Sequence, residues 1–393
     1  MARRGRALNI ATALVLVACS SAPIPGTRQP ASSTTPARRS PAPPAASAAP
    51  SEGAVAGSSS AGVYGATTSG HISPLLAGLA PRVYVPNEGS GDVVVIDPET
   101  FAIVGRFRVG SLPEHVTPDW GLQLLYVNDM NSDALTVIDP RIGRPIKTIR
   151  IPTPYNLYFT PDGTKAIVVE DFTAPGGRGG NGLRFYDRRT WKFLRFVPIP
   201  FPGADHLDFS ADGRYLFLSC EYSGEVERVD TRTMQVSGSV HVGGLPIDVR
   251  LAPAGDVFYV ANQGSNGVSI IDPVAMKVIG FMPTGRGAHG LALSRDATRL
   301  YVSNRLAGTI SVISFATRRV VATWNVGGTP DMMAVSPDGR QLWISNRYSG
   351  TVSVVDTRSG RVLRVIRTGV GPHGLSFWPQ PGRFSLGHNG NMR

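Results

Sequence analysis

The chain has 393 residues, of which 39 are Lys or Arg and 28 are Asp or Glu, so its formal net charge is +11 at pH 7. Two cysteines are too few to staple a fold of this length, which excludes a disulfide-stabilised scaffold. The CxxC, HExxH and Walker-type patterns are absent from the sequence, so it carries no short motif of a structural zinc site, a metalloprotease or a nucleotide hydrolase.

The first 18 residues have the pattern of a secretory signal peptide. Three arginines precede an apolar run from Leu8 to Ala18, and this run is shorter than the roughly 20 helical residues that span a bilayer. The segment Leu16-Val17-Ala18-Cys19 resembles the lipobox of bacterial lipoproteins, in which the Cys is lipidated. The alternative is an ordinary signal peptide with a coincident Cys. We expect a signal peptide at 1–18, lipidation at Cys19, and a protein of the bacterial cell envelope that is membrane-anchored or secreted.

Residues 19–75 have the composition of a disordered linker. They are rich in Pro, Ala, Ser, Thr and Gly, and Glu52 is the one acidic residue between Ser20 and Gly70. Such a segment has too little apolar surface to offset the entropy lost when the chain is ordered. Its arginines would suit the surface of an anionic membrane.

From residue 76 onward the sequence repeats with a period of about 42 residues. One repeat, Arg299–Arg340, contains four short apolar runs separated by polar turns, the pattern of one propeller blade. An aromatic or apolar anchor in a YVSN-like phrase marks each copy, at Tyr84, Tyr126, Ile167, Phe217, Tyr259, Tyr301 and Trp343. A VIDP-like phrase recurs in phase with it, at Asp97, Asp139, Asp187, Asp230, Asp272 and Asp356, with Ser314 in the sixth copy. The two marks predict an all-β, seven-bladed β-propeller of four-stranded antiparallel blades over residues 76–393.

The four strands of a blade are named A to D from the axis outward. Because successive strands alternate in direction, the D–A and B–C connections lie on one face of the ring, and the A–B and C–D connections lie on the other. The first repeat begins at strand B with Val83, and the last strand A is His373–Trp378. We therefore expect this C-terminal strand to close the ring. The tail Arg383–Asn389 has the pattern of one more strand B.

Polar and titratable residues cluster at the D–A and B–C connections. Strand A is innermost, so its first residues should surround the mouth of the axial channel. The candidates at this mouth are Glu114, His115, Asp205, His206, His289, Asp331 and His373. The candidates at the rim, where strand B ends, are Asn87, Asp129, Glu170, Asn262, Asn304 and Asn346. Converging imidazole and carboxylate groups suit a divalent metal or acid–base chemistry. The alternative is that each polar side chain satisfies a turn amide or faces water.

His289 and His373 occupy equivalent positions two blades apart, with Asp331 on the blade between them. Propeller geometry brings such positions together near the axis, so we predict that they share a metal or an acidic ligand. We also expect both imidazoles to be exposed, so that their replacement has little effect on stability.

The YVPN, YVND, YVAN and YVSN phrases, together with VIDP, PHG and SPDG, resemble the YVTN family of bacterial seven-bladed β-propellers, close to the YncE-like group. The resemblance implies an exported binding or surface protein, and no single activity holds throughout the family. Some relatives are implicated in nucleic-acid binding, and the wider propeller class includes lactonases and quinoproteins. The tryptophan-docked repeats that a quinone cofactor implies are absent here.

We favour a monomeric binding module over an enzyme, with an envelope protein or a small ligand held on the D–A/B–C face. The first alternative is a metal-dependent hydrolase or oxidase at the axial mouth, with a divalent metal as its cofactor. The second alternative is a nucleic-acid binder, which the positive net charge of the chain suggests. The basic residues are scattered among turns rather than clustered, and this disfavours nucleic acid as a partner.

Overall fold

The computed structural model describes residues 62–171 and 180–393. The predicted signal peptide, Cys19 and the predicted linker up to residue 61 lie outside the described residues, as do residues 172–179 of the third B–C loop. No helix in the described part of the chain is long and apolar enough to cross a membrane.

Seven antiparallel sheets form the blades, and each runs outward from the axis in the order A, B, C, D. Blade 1 contains β1 (Arg82–Asn87), β2 (Asp92–Ile96) and β3 (Ile103–Arg108), and β28 (Ser376–Trp378) completes it. Blade 2 contains β4 (Pro113–Pro118), β5 (Leu125–Asp129), β6 (Ala134–Asp139) and β7 (Arg144–Arg150). Blade 3 contains β8 (Asn156–Phe159), β9 (Lys165–Glu170), β10 (Gly182–Asp187) and β11 (Phe193–Pro198). Blade 4 contains β12 (Ala204–Phe209), β13 (Tyr215–Cys220), β14 (Glu225–Asp230) and β15 (Gln235–His241).

Three further blades and the tail complete the ring. Blade 5 contains β16 (Pro246–Leu251), β17 (Phe258–Asn262), β18 (Gly267–Asp272) and β19 (Lys277–Pro283). Blade 6 contains β20 (Ala288–Leu293), β21 (Arg299–Asn304), β22 (Thr309–Ser314) and β23 (Arg319–Asn325). Blade 7 contains β24 (Pro330–Val335), β25 (Gln341–Asn346), β26 (Thr351–Asp356) and β27 (Val362–Arg367). The tail forms β29 (Ser385–Gly387) and β30 (Asn391–Met392), and short 3-10 helices lie at Gly62–Thr67, Pro74–Leu76, Met130–Ser132 and Arg347–Ser349.

The core lies between neighbouring blades rather than within one blade. The seven predicted anchor residues all lie in strand B and are all buried. One apolar cluster joins Val169 and Phe185 of blade 3 to Leu207 and Leu218 of blade 4. Burying a large apolar side chain contributes about 1.5–3 kcal/mol, so each blade depends on its neighbours for stability. The prediction of an all-β, seven-bladed propeller is confirmed.

The C-terminal strand closes the ring, as predicted. β28 pairs antiparallel with β1, which places Phe377 opposite Val83 and Trp378 opposite Arg82. Blade 1 is therefore built from both ends of the repeat region. This pairing removes the open sheet edges that an unclosed ring would expose.

The tail beyond the closing strand does not form a strand B, so that part of the prediction is wrong. β29 pairs instead with β8, the innermost strand of blade 3, and the chain turns back through β30. The C-terminal residue, Arg393, donates from Nη2 to Asp208 Oδ1 at 3.1 Å and to the backbone oxygen of Phe209 at 2.8 Å. The inner edge of strand A in a blade has no neighbouring strand within that blade. In blade 3 the tail pairs with this edge of β8. The tail consequently lies in the axial channel, where it carries His388.

Residues 62–75 pack against the propeller, although the sequence assigned them to the linker. Tyr64 is buried, and its hydroxyl donates to the backbone oxygen of Leu251 at 2.9 Å. The backbone amide of Val63 donates to the backbone oxygen of Pro253, also at 2.9 Å. The buried aromatic ring accounts for the position of this segment, and the propeller-associated chain therefore begins before residue 76.

Candidate functional site

A β-bulge at the start of strand A turns two consecutive side chains toward the axis. In blade 2, Glu114 and His115 together oppose a single residue of strand B, Asn128. The same irregularity occurs at the start of strand A in blades 4, 5, 6 and 7. A bulge re-aims side chains in this way because the extra residue breaks the strict alternation of a strand. The axial channel is thus lined by pairs of neighbouring residues.

The serine of the YVSN phrase holds the bulge in place. In blade 4 the backbone amide of His206 donates to Ser219 Oγ at 3.1 Å, and in blade 6 the amide of Gly290 donates to Ser303 Oγ at 2.8 Å. The Ser303 hydroxyl donates in turn to the backbone oxygen of Asp331 on the next blade at 2.6 Å. One hydroxyl therefore fixes a bulge and links it to the adjacent blade.

Three histidines from distant parts of the chain converge on the axis. His115 comes from blade 2, His206 from blade 4 and His388 from the tail, and the exposed fraction of each is 0%. One ring nitrogen from each lies within 4.8 Å of the others. The ring centroids are 5.3 Å apart for His115 and His206, 4.9 Å for His115 and His388, and 4.7 Å for His206 and His388.

These three imidazoles are neutral. Burial holds the pKa of His115 and that of His388 well below the usual value, and neighbouring imidazoles lower both further. Burial likewise lowers the pKa of His206 to about 3. Neutral imidazole is the form of histidine that binds metal ions.

A fourth histidine lies beside this group and is protonated. His373 Nδ1 is 2.8 Å from Glu114 Oε2 and 3.0 Å from Glu88 Oε1. Burial and the Arg347 guanidinium both lower the pKa of His373, but the carboxylates around the ring outweigh them and raise it to about 9. Burial and the charge of Glu88 raise the pKa of Glu114 to about 7. Arg347 Nη2 lies 2.8 Å from Glu88 Oε1, so this group already contains two cations.

Both histidines of the predicted pair, His289 and His373, lie beside Asp331, but an arginine also binds this carboxylate. His289 Nδ1 is 2.8 Å from Asp331 Oδ1, and His373 Nε2 is 4.0 Å from the same oxygen. Arg305 Nη2 lies 2.7 Å from that oxygen and also donates to His289 Nε2. The guanidinium thus fills the space that a shared metal ion would need. It also binds the atoms of His289 and Asp331 that would have to be the metal ligands.

Two carboxyl groups on blade 4 lack a Lys or Arg ion-pair partner among the described residues. Neither Asp205 nor Glu221 of blade 4 forms an ion pair with a Lys or Arg among the described residues, although Asp205 Oδ1 lies 2.7 Å from His206 Nδ1. Burial raises the pKa of Asp205 well above its usual value. Burial and the nearby Asp205 raise the pKa of Glu221 to about 8. On this side of the mouth the folded protein therefore favours the protonated form of both carboxyl groups.

The predicted rim residues form hydrogen bonds within their own blades or with the adjacent D–A connection. Asn304 Nδ2 donates to Thr309 Oγ1 and to Ser311 Oγ, both at 3.0 Å, and so ties strand B to strand C. The contacts of the others also hold turns and neighbouring strands, which is the structural alternative that the sequence left open. The buried residues that act in this way are Asn87, Asp129, Glu170, Asn262, Asn304 and Asn346.

In four blades the residue that follows the end of strand B reaches the mouth instead, and sequence reasoning missed it. Glu88, Arg305 and Arg347 each follow a predicted rim residue directly, and Glu221 follows Cys220, the last residue of strand B in blade 4. Each of the four meets the axial residues described above. Side chains alternate along a strand, so the neighbour of a residue that points into the blade points out of it. That alternation was the signal that could have found them.

The residues predicted at the mouth are buried rather than exposed. The exposed fractions are 2% for Glu114, 3% for Asp205, 3% for His289, and 0% for His115, His206, Asp331 and His373. The expectation that His289 and His373 are exposed is wrong, because the tail fills the channel on one side of them and the B–C loop residues cover them on the other.

Comparisons with known proteins agree with this architecture. A profile described as the YncE-like beta-propeller matches residues 44–380. No curated protein sequence matches the chain.

Several solved structures share the fold. A protein of unknown function from Desulfotomaculum acetoxidans has a TM-score of 0.66 and 19% identity, over 75% of this chain and 98% of that chain. The periplasmic gluconolactonase of Pseudomonas aeruginosa has a TM-score of 0.64 and 21% identity, over 77% of this chain and 99% of its own. Hydrazine synthase of Kuenenia stuttgartiensis has a TM-score of 0.57 and 17% identity, over 69% of this chain and 91% of its own. At these levels of sequence identity, the similarity shows a shared fold alone.

Proposed function

The chain belongs to the YncE-like β-propeller family, and on this premise we propose that it is an exported binding module that holds a small, positively charged ligand at its axial mouth. The observation that carries the proposal is the pair of carboxyl groups on blade 4, Asp205 and Glu221, which form no ion pair with a Lys or Arg among the described residues. The signal-like segment at residues 1–18 supports export.

A bound cation would be stabilised by these carboxyl groups. Burial raises the pKa of both carboxyl groups, and the charge of Asp205 raises the pKa of Glu221 further, to about 8, so the free protein favours the neutral acids. A cation between them favours the ionised form, because opposite charges about 4 Å apart attract by about 4 kcal/mol at the effective dielectric constant near a protein surface. Binding would therefore release protons and replace two neutral acids with ion pairs.

The opposite side of the mouth does not suit an anion, because its guanidinium groups are already paired. Arg347 is bound to Glu88, and Arg305 to Asp331, both within 2.8 Å. An acidic ligand or a phosphate backbone would have to displace these carboxylates. This favours a cation such as an alkylammonium group over the acidic ligand and the nucleic acid considered from the sequence.

Titration calorimetry with the full chain tests the proposal, with putrescine as a diamine and succinate as a dicarboxylate of similar length. We expect putrescine to bind and succinate and a single-stranded oligonucleotide not to bind. Glu221→Gln should weaken putrescine binding more than about tenfold, since it removes one charge from the site. Glu99→Gln is the matched control, because Glu99 is an exposed acid in a C–D turn. Failure of putrescine to bind, or equal binding by Glu221→Gln, contradicts the proposal.

Hydrolysis at the same mouth is a second candidate function. The observation that favours it is the buried Glu114–His373 pair, 2.8 Å apart, which places a carboxyl group and an imidazolium side by side as acid and base. The similarity of fold to a gluconolactonase makes gluconolactone the first substrate to test. Turnover that Glu114→Gln abolishes would support catalysis, and absence of turnover would leave binding as the function.

A further inference from the structure

We propose that His115, His206 and His388 form a binding site for one divalent transition metal ion, buried on the propeller axis beneath the mouth. This inference goes beyond the proposed function and does not depend on it. The site is distinct from the predicted pair of His289 and His373.

The geometry of the three rings suits a common ligand. They come from two blades and the tail, and one nitrogen of each lies within 4.8 Å of the others. Ligand nitrogens around a tetrahedral zinc lie about 2.0–2.1 Å from the metal, so small side-chain movements would bring the three into range. Asn389 holds the His115 ring by a hydrogen bond, and Gly374 leaves room for this contact. A Cβ atom at Gly374 would lie only 2.6 Å from Asn389 Oδ1.

A hydrogen bond fixes which nitrogen the His115 ring presents, and polar groups also lie beside Nδ1 of the other two rings. His115 Nδ1 lies 2.9 Å from Asn389 Oδ1, an atom that only accepts, so Nδ1 carries the proton and Nε2 presents its lone pair. Asp205 Oδ1 lies 2.7 Å from His206 Nδ1, close to the carboxylate–histidine arrangement of metal sites. His388 Nδ1 lies 3.1 Å from Asn156 Nδ2, which donates, and 3.4 Å from Asn156 Oδ1, which accepts. Metal binding through His388 Nε2 uses the second contact, with the proton on Nδ1.

The other nitrogens of these rings have no hydrogen-bond partner. Nε2 of His115, of His206 and of His388 is buried and unpaired within the described ranges 62–171 and 180–393. Leaving a buried polar atom unpaired is unfavourable, and each of the three clustered rings carries one such atom. A metal ion bound by the three rings through Nε2 would satisfy all three atoms together.

The chemistry of the donor set selects the class of metal. Three imidazole nitrogens suit Zn²⁺, Co²⁺, Ni²⁺ or Cu²⁺, whereas Mg²⁺ and Ca²⁺ prefer oxygen ligands. The neighbouring set of Glu88, Glu114 and His373 is also close-packed. In that set His373 forms ion pairs with Glu88 and Glu114, and Arg347 forms one with Glu88, so it is the weaker candidate for a metal site.

The experiment uses the full chain, stripped with a chelator and dialysed against Zn²⁺ or Co²⁺ alone. We expect one equivalent of metal per chain and, for Co²⁺, visible absorption typical of a four- or five-coordinate ion. His206→Gln and His388→Gln should each weaken binding more than about tenfold. Two histidines outside the site serve as controls: His241→Gln, on an outer strand, and His289→Gln, elsewhere in the channel.

X-ray absorption of the wild-type protein with Zn²⁺ keeps the proposal testable if a variant fails to fold. Three imidazoles in the first coordination shell are expected. An oxygen-only shell, less than stoichiometric metal, or unchanged affinity in folded His206→Gln and His388→Gln would overturn the assignment.

Discussion

The ring centroids of His388, on the C-terminal tail, and His206, on blade 4, are 4.7 Å apart, and the two imidazoles meet edge to face. The tail reaches this position because β29 pairs with the inner edge of blade 3. The end of the chain therefore has two separate parts. β28 closes the ring, and the segment after it completes the interior of the channel.

Two C-terminal deletions should separate these roles. Removing Gly371–Arg393 takes away β28, so blade 1 loses its innermost strand, and cooperative unfolding should be lost. Removing only Arg383–Arg393 leaves β28 in place. This shorter deletion should still unfold cooperatively, but with at least about 3 kcal/mol less stability, because the contacts of Arg393 and the burial of Leu386 are lost.

Circular dichroism during thermal unfolding measures both effects. A cooperative transition near the wild-type temperature in the longer deletion would contradict the closure. No loss of stability in the shorter deletion would show that the tail is dispensable for the channel.

Asp129→Asn should stabilise the protein above pH 7. Burial raises the pKa of Asp129 from 3.8 to about 7, so the folded state favours the protonated acid. The carboxyl group therefore destabilises the fold increasingly as pH rises from about 4 to 7, by at most about 4 kcal/mol above that range. Asn occupies the equivalent position in blade 6, where Asn304 donates to Ser311, and Thr136 offers the same acceptor in blade 2.

Urea unfolding at pH 8 and at pH 4 measures this gain. It should be about 1–3 kcal/mol at pH 8 and small at pH 4. The converse change, Asn304→Asp, should destabilise blade 6 at pH 8. An equal effect of Asp129→Asn at both pH values would show that the carboxyl group does not titrate as proposed.

His289→Ala should lower the free energy of unfolding by about 1–3 kcal/mol, contrary to the expectation from sequence. The imidazole is buried, and its removal leaves the Arg305 guanidinium without one of its three side-chain hydrogen-bond partners. The matched control is His241→Ala, because the His241 side chain is 69% exposed and its replacement should change stability by less than about 0.5 kcal/mol. Equal stabilities of the two variants in chemical denaturation would refute the assignment of His289 to the channel interior.

Cys19→Ser should release the protein from the membrane or block its processing. The prediction rests on the segment Leu16–Cys19, and a doubly acylated Cys would bind membranes firmly at about 0.8 kcal/mol for each buried CH₂ group. Fractionation of cells that express the wild-type chain and the variant measures the membrane-bound share. Mass spectrometry that finds an unmodified N-terminus away from Cys19 would remove the proposed anchor.

The blades and their faces could be predicted from the sequence because the information is local. Alternating apolar residues and turn phrases recur every 42 residues or so, and strand direction then assigns each turn to a face. The closing strand followed from the phase of the repeat, since Val83 begins a strand B and no strand A precedes it.

The interior of the channel could not be predicted in the same way. His388 reaches the axis through pairing with blade 3, a contact that no local pattern marks. Arg305 lies one residue beyond Asn304, and only the alternation of side chains along strand B directs it to the mouth. The burial of His373 depends on residues of other blades and of the tail.

The measurement that tests the central claim most directly is the number of protons released when a cation binds at the mouth. Calorimetric titration of putrescine into the full chain at pH 7, in two buffers of different ionisation enthalpy, gives that number. The carboxyl groups of Asp205 and Glu221 predict release of about one to two protons per ligand, and about one fewer for Glu221→Gln. Binding with the same heat in both buffers, and so without proton release, would contradict the claim.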